Sequence, residues 1–180
     1  MNITKNNFDV IVVGVGSMGA AACFQLAKRG VRVLGLERFD IPNTMGSAGG
    51  FSRMIRLAYF EHPDYVPLLR RSYTLWEELA VNLGHDVIFI TGGLMLGPPG
   101  AAVLEGSIRS VRQHNLPHEL LDAAEAMKRF PQFKLPEDYR VLHDHKAGLV
   151  LPERAIAGYA ELAMRRASGS NASESAPAPK

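Results

Sequence analysis

A chain of 180 residues, 47% of them hydrophobic, can build a domain with a real core, yet no apolar run in it reaches membrane-spanning length. Its formal charge of +2 is small and its charges are mixed, so nothing in it suggests a nucleic-acid face and no nucleic-acid partner is expected. Its one cysteine, Cys23, excludes an internal disulfide and a thiolate metal cluster, and the run Phe8–Val13 is too short for a signal peptide. The expected compartment is the cytoplasm.

The first elements carry the strongest pattern. Val10 to Val13 reads as a buried strand. Gly14, Gly16 and Gly19 follow at GxGxxG spacing, with Val15, Ser17 and Met18 between them. Ala20 to Lys28 reads as a helix, and Val31 to Leu36 as a second strand that ends at Glu37 and Arg38. In such a turn the first glycine permits the tight bend, the second lets backbone approach a pyrophosphate, and the third lets helix and strand pack closely. Unpaired N–H groups at the helix start receive the phosphates. Glu37, on the next strand, is placed to accept from a ribose 2′-hydroxyl. The pattern points to an adenine dinucleotide and leaves FAD and NAD open.

Beyond Arg38 the elements alternate. Phe39 to Ser52 is a loop rich in Gly, Pro, Asn and Ser. Arg53 to Tyr59 is short, extended or helical. Pro63 to Leu83 reads as a long helix with Tyr65, Leu68, Leu69, Tyr73, Trp76 and Leu79 on one face, closed by Gly84. Asp86–Ile90 and Gly93–Leu96 read as strands. Ala101 to His114 reads as a helix with Val103, Leu104, Ser107, Ile108 and Val111 inward. Asp122 caps a helix that runs to Arg129 and is stopped by Pro131. Val141–His143 and Gly148–Leu151 read as short strands, and Pro152 opens a last helix to about Arg166. Ala167 to Lys180 has no large apolar side chain and is expected to be a disordered tail. His143 and His145 would share one face of a strand, but two ligands without a third are not a metal site, and no metal is expected.

Several longer segments go beyond a generic dinucleotide fold. They are Phe8–Gly19, the run Met45-Gly-Ser-Ala-Gly-Gly-Phe-Ser-Arg-Met-Ile-Arg56, and His62-Pro-Asp-Tyr-Val-Pro-Leu68. Thr91–Pro98 and Ala147–Pro152 follow. On these residues the chain resembles the amino-terminal part of the monomeric sarcosine oxidase and N-methyltryptophan oxidase family, flavoproteins that oxidise secondary amino acids. The resemblance covers about residues 8 to 166. It implies an α/β fold with a Rossmann-like FAD-binding domain of the glutathione-reductase type. That domain would be incomplete here, with the start of a mixed-sheet substrate domain. Residues 1–86 would be the first part of the FAD-binding domain and 87–151 the start of the substrate domain. Residues 152–166 would return to the FAD-binding domain.

The resemblance also implies roles. Gly14, Gly16, Ser17, Met18, Gly19, Glu37 and Arg38 would bind FAD, together with Gly46, Ser47, Ser52 and Arg53. Arg53 would sit against the isoalloxazine ring, where fixed positive charge favours the anionic reduced flavin. Arg56 would bind the substrate carboxylate with its guanidinium fork. Tyr59 would border the pocket, and Glu61 would pair with Arg56 when no substrate is bound. Many family members carry a histidine pair just after the Gly-Ser turn, where this chain has Ala48 and Gly49, so larger N-methyl amino acids are expected as substrates at least as readily as sarcosine. Oxygen would be the acceptor. The family's attachment cysteine lies downstream of the residues matched, so FAD would be held non-covalently. The chain is about half the family's length and is expected to be truncated and inactive alone. Two other readings stand beside this one. One is a non-catalytic dinucleotide-binding module or a subunit completed by a partner chain. The other is an NAD(P)-dependent dehydrogenase, which the Gly46–Arg56 loop disfavours.

Overall fold

A computed structural model describes residues 7–173, the side chains of 168–173 excepted. The chain forms two compact units. The first comprises the chain to Arg53, then Leu79–Val87 and the segment from Leu151. The second comprises Met54–Glu78 and Ile88–Val150.

In the first unit, β1 (Val10–Val13) and β2 (Val33–Leu36) lie parallel in the register Val10–Val33 to Val13–Leu36, joined by α1 (Ser17–Lys28). This is the βαβ start that the glycine pattern predicts. Asp9 fixes the entrance: its carboxylate accepts from the Arg32 guanidinium at 2.7 Å and 3.1 Å and from the Arg32 N–H at 3.1 Å. The Arg32 side chain holds the Asp9 carboxyl down at about 2. Ala20, Cys23 and Phe24 bury one face of α1 against the last helix (Pro152–Ser173), with the Phe24 and Tyr159 rings 5.5 Å apart. Cys23 is thus a small core residue, as expected, and burial raises its thiol pKa.

Two expectations are corrected here. Strand β1 is not buried on both faces. Ile11 is 58% and Val13 83% exposed, and Leu36 of β2 is exposed beside them. An apolar run reports what a strand could bury, and only one face of this two-stranded sheet is covered. The last helix also continues seven residues past the expected end, to Ser173. Ala167 to Ser173 hold no large apolar side chain, and their extension adds backbone hydrogen bonds to an existing helix without a new nucleus. The remainder of the expected tail lies outside the described residues.

The second unit holds two three-stranded sheets. One has the order β3–β8–β4, with β3 Arg53–Ile55, β4 Ile88–Ile90 and β8 Gly148–Val150. The other has the order β5–β7–β6, with β5 Gly93–Gly97, β6 His118–Asp122 and β7 Arg140–Asp144. In the second sheet both neighbours of β7 are antiparallel, so Leu94 and Glu119 flank His143, and Leu96 and Leu121 flank Val141. Val141 and Leu121 pack with Ala126 of α4 (Ala123–Arg129), and Leu94, Leu96, Phe130 and Leu135 close that cluster. Helix α3 (Ala102–Gln113) lies against β5 and β7. Asp122 caps α4 in a full capping box with Glu125, as the sequence predicts.

Strand β6 is absent from the sequence expectations. Its segment, His118-Glu-Leu-Leu-Asp122, alternates too weakly to announce a strand, and pairing with β7 decides it. Helix α2 (Tyr65–Leu83) starts two residues later than expected, with Tyr65 and Leu68 exposed. Its buried stripe is Val66, Tyr73 and Leu79, at steps of seven and six. On α3, Val103 is exposed, and Gly106, Ser107 and Ser110 are buried beside Leu104 and Val111. No helix among the described residues is long and apolar enough to cross a membrane.

Candidate functional site: a glycine cradle and an arginine loop

In the first unit a cavity of about 320 Å³ is lined by Gly14 to Gly19, Glu37, Phe39, Asn43, Met45 to Gly49 and Ile156. Helix α1 begins at its floor. Gly16 is the N-cap and supplies no side-chain hydrogen bond, and there is no acid in the first turn. The amides of Ser17, Met18 and Gly19 therefore keep the anion-binding capacity of a helix start. The three glycines have different reasons to be glycine. Gly14 has φ +88°, a left-handed conformation. A Cβ on Gly19 would lie 1.8 Å from the Gly14 carbonyl oxygen, so helix and turn are in backbone contact there. A Cβ on Gly16 would meet nothing within 4 Å. That space is what a diphosphate needs, and the chemistry of the cradle fits FAD.

Glu37 lines the same cavity, and its carboxylate is already engaged. Oε2 accepts from the Val15 N–H at 2.8 Å, and Oε1 accepts from the N–H groups of Arg38 at 2.8 Å and Phe39 at 3.2 Å. A carboxylate has about four acceptor positions, so one remains for a ribose hydroxyl. The Val15 bond, then the other two, holds the Glu37 carboxyl below its ordinary range. A lowered pKa means the fastening is complete at neutral pH and is lost as pH falls through the folded-state value. Glu37→Gln should therefore lower the thermal midpoint at neutral pH, and the gap from wild type should close on acidification. A gap that ignores pH would show that Glu37 does not fasten the turn.

The loop beyond the cavity is tied by its own arginine. Arg53 donates to the carbonyls of Gly49 at 2.5 Å and Ser47 at 3.3 Å, and the Gly50 N–H donates to Glu153 at 3.2 Å. Gly46 and Ser47 line the cavity; Arg38, Ser52 and Arg53 do not. A side chain at Gly49 would press on Thr44 Cα at 3.2 Å, so the loop suits its glycine at this position.

In the second unit Arg56 is 20% exposed and faces Glu61 at 3.6 Å. Its guanidinium lies over the Tyr59 ring at 4.7 Å and near Phe60 at 5.9 Å. The structure thus brings together Arg56, Tyr59 and Glu61. Their support was missed in the sequence. The fully buried Asp144 accepts from the N–H groups of Leu57 at 3.1 Å, Ala58 at 3.0 Å and Lys146 at 2.8 Å. Ser107 donates to the Ala58 carbonyl at 2.9 Å, and Ser110 donates to that of Tyr59. Gly106 lets the Phe60 backbone touch α3, since a Cβ there would lie 2.1 Å from the Phe60 oxygen. The signal was present as two serines three apart on a helix face that also carries Leu104 and Val111. Asp144 had none for this role, because two of its three partners, Leu57 and Ala58, lie 87 and 86 residues away.

A parallel βαβ start, a glycine cradle at the helix terminus and an acid on the second strand define a dinucleotide-binding protein. The chain belongs to the FAD dependent oxidoreductase family, which it matches over residues 9–169. It is 48% identical over 159 residues to the monomeric sarcosine oxidase of Streptomyces avermitilis, covering 88% of this chain and 41% of that protein. It is 39% identical over 157 residues to the N-methyl-L-tryptophan oxidase of Citrobacter koseri, covering 87% and 42%. Among solved structures it is similar to the open form of NikD, an amino acid oxidase of nikkomycin biosynthesis. The identity is 30% and the TM-score 0.77, with 88% of this chain and 41% of NikD covered. The chain thus spans about two fifths of the length of these relatives.

Proposed function

We propose that the cradle of the first unit binds FAD without a covalent bond and that the second unit supplies the substrate arginine of a secondary amino acid oxidase. The reaction is oxidation of the C–N bond of an N-methyl amino acid, with oxygen as final acceptor. The bound flavin supplies the redox chemistry. The observation that carries the reading is the cradle itself, with its uncapped helix start, the Gly19–Gly14 contact and Glu37. The family match favours FAD over a nicotinamide.

The protein's own residues bind and orient. The amides of Ser17 to Gly19 take the diphosphate, and the free acceptor position of Glu37 takes the ribose. Arg53 holds the Ser47–Gly49 turn in shape and adds positive charge beside it. Arg56 exchanges Glu61 for the substrate carboxylate, a trade of one carboxylate for another that leaves no buried charge unpaired. Its stack on Tyr59 helps to aim the planar fork.

The first test is a calorimetric titration with FAD and with NAD. FAD should bind more tightly and should leave on acid precipitation, and tighter NAD binding would reject the reading. The second test uses the FAD-loaded protein. Arg56→Ala should weaken binding of N-methyl amino acids by about tenfold or more with FAD affinity unchanged, the loss of a charge-assisted pair. Arg56→Lys should not restore it, because a point charge lacks the fork. Equal substrate binding in Arg56→Ala would make Arg56 structural.

The exposed row of Ile11, Val13 and Leu36 supports a further reading, in which more polypeptide, from the same chain or another, covers this face of the first sheet. On that reading the 180 residues alone associate through this face and do not turn over substrate. A monomeric 180-residue chain that releases peroxide from sarcosine would overturn it.

A further inference from the structure

We propose that Glu119, His143 and His145 form a binding site for a divalent transition metal of the zinc type on the β5–β7–β6 sheet. The sequence spacing of the two histidines lacked a third ligand, and the neighbouring strand provides it. Glu119 is the register partner of His143 across β6 and β7. Its Oε2 lies 3.5 Å from His143 Nδ1 and 3.6 Å from His145 Nε2. Asp144, between the two histidines, faces away and is filled by backbone N–H groups.

Three features favour a metal over a solvated surface cluster. The first is geometric. Ligand atoms around tetrahedral zinc with bonds near 2.1 Å lie about 3.4 Å apart. Both separations from Glu119 meet that value. The three ligand atoms all lie within 4.8 Å of one another, so closing the site needs at most about 1.4 Å of movement. His145 lies just past the end of β7 and is 41% exposed, so it is free to make that movement.

The second feature is His143. Its ring is 21% exposed, its Nδ1 is buried, and that atom makes no hydrogen bond among the described residues. Gly92, with φ +76°, packs against the other ring nitrogen, where a Cβ would lie 2.6 Å from Nε2. Phe130 meets the ring edge-on at 5.5 Å. The ring is therefore held with Nδ1 turned toward Glu119, whose Oε2 at 3.5 Å is too far for a well-formed hydrogen bond, and an ion between the two would satisfy both. The third feature is the donor set. Two imidazoles and a carboxylate suit zinc, nickel or copper, whereas magnesium and calcium need more oxygens. Arg129 opposes the ion, because its guanidinium contacts the same Glu119 oxygen. Bound metal would clamp β6 to β7.

The test is zinc chloride titrated into the 180-residue protein, followed by calorimetry and thermal melting. Wild type should take up one zinc per chain and melt higher with it. His145→Ala removes an exposed ligand, and Glu119→Gln removes the shared oxygen; each should weaken zinc binding by about tenfold or more. Arg129→Gln frees the carboxylate and should tighten it. His145→Ala should melt as wild type does without zinc, so its loss of binding is not loss of fold. Zinc binding that is equal in wild type, His145→Ala and Glu119→Gln would place the ion on other histidines and overturn the proposal. Failure of wild type to take up zinc at millimolar concentration would do the same.

Discussion

Asp144→Ala should destabilise the protein by roughly 3–5 kcal/mol, a large share of an ordinary domain's stability. Three backbone N–H groups, on Leu57, Ala58 and Lys146, lose their acceptor at once in a fully buried place. Each orphaned N–H costs about 1–3 kcal/mol, and removal of a buried charge returns part of the sum. Asp144→Asn should cost about half as much, because its one oxygen keeps some of the bonds while its amide opposes another. The same loop carries Arg56, so, on the proposed role of Arg56, substrate binding should fall further than stability alone explains. Urea midpoints measure the first effect. A loss of less than about 1 kcal/mol for Asp144→Ala would mean that the loop finds other acceptors.

Gly19→Ala and Gly16→Ala should separate two uses of glycine. At Gly19 the added methyl meets a carbonyl oxygen at 1.8 Å, and both sides of the contact are backbone. Helix α1 must shift, at roughly 1–3 kcal/mol in stability, and its amides leave their places at the cavity. FAD affinity should drop by at least about tenfold. At Gly16 the methyl enters open space, so the melting temperature should hold while FAD binding still falls. If Gly16→Ala binds FAD as wild type does, the diphosphate does not pass over Gly16. If Gly19→Ala melts unchanged, helix and turn do not meet backbone to backbone at Gly19.

The first βαβ unit was legible because its signals are local. Three glycines within six residues, a short apolar run and an acid at the next strand end each constrain backbone that lies nearby in sequence. The capping box of Asp122 and Glu125 was legible for the same reason. What escaped depends on distant partners. Strand β6 exists because β7 lies beside it, and Asp144 is buried because a loop more than eighty residues earlier folds onto it. The third member of the histidine cluster likewise came from register, which spacing along one strand cannot give. The stripe on α2 was misjudged at Tyr65 and Leu68, where apolar side chains at helical spacing remain exposed. Periodicity names candidates for burial, and the surrounding fold selects among them.

The bond from the Val15 N–H to Glu37 has a kinetic and entropic meaning. It joins the glycine turn to the end of the second strand, so the parts that would receive the phosphates and the ribose are locked to each other before any ligand arrives. Ordering a loop on binding consumes part of the interaction energy, and a cradle locked in advance avoids that cost. Capture by this unit then resembles docking onto a rigid surface more than folding around a guest. Its association rate should depend on diffusion and orientation rather than on a preceding rearrangement.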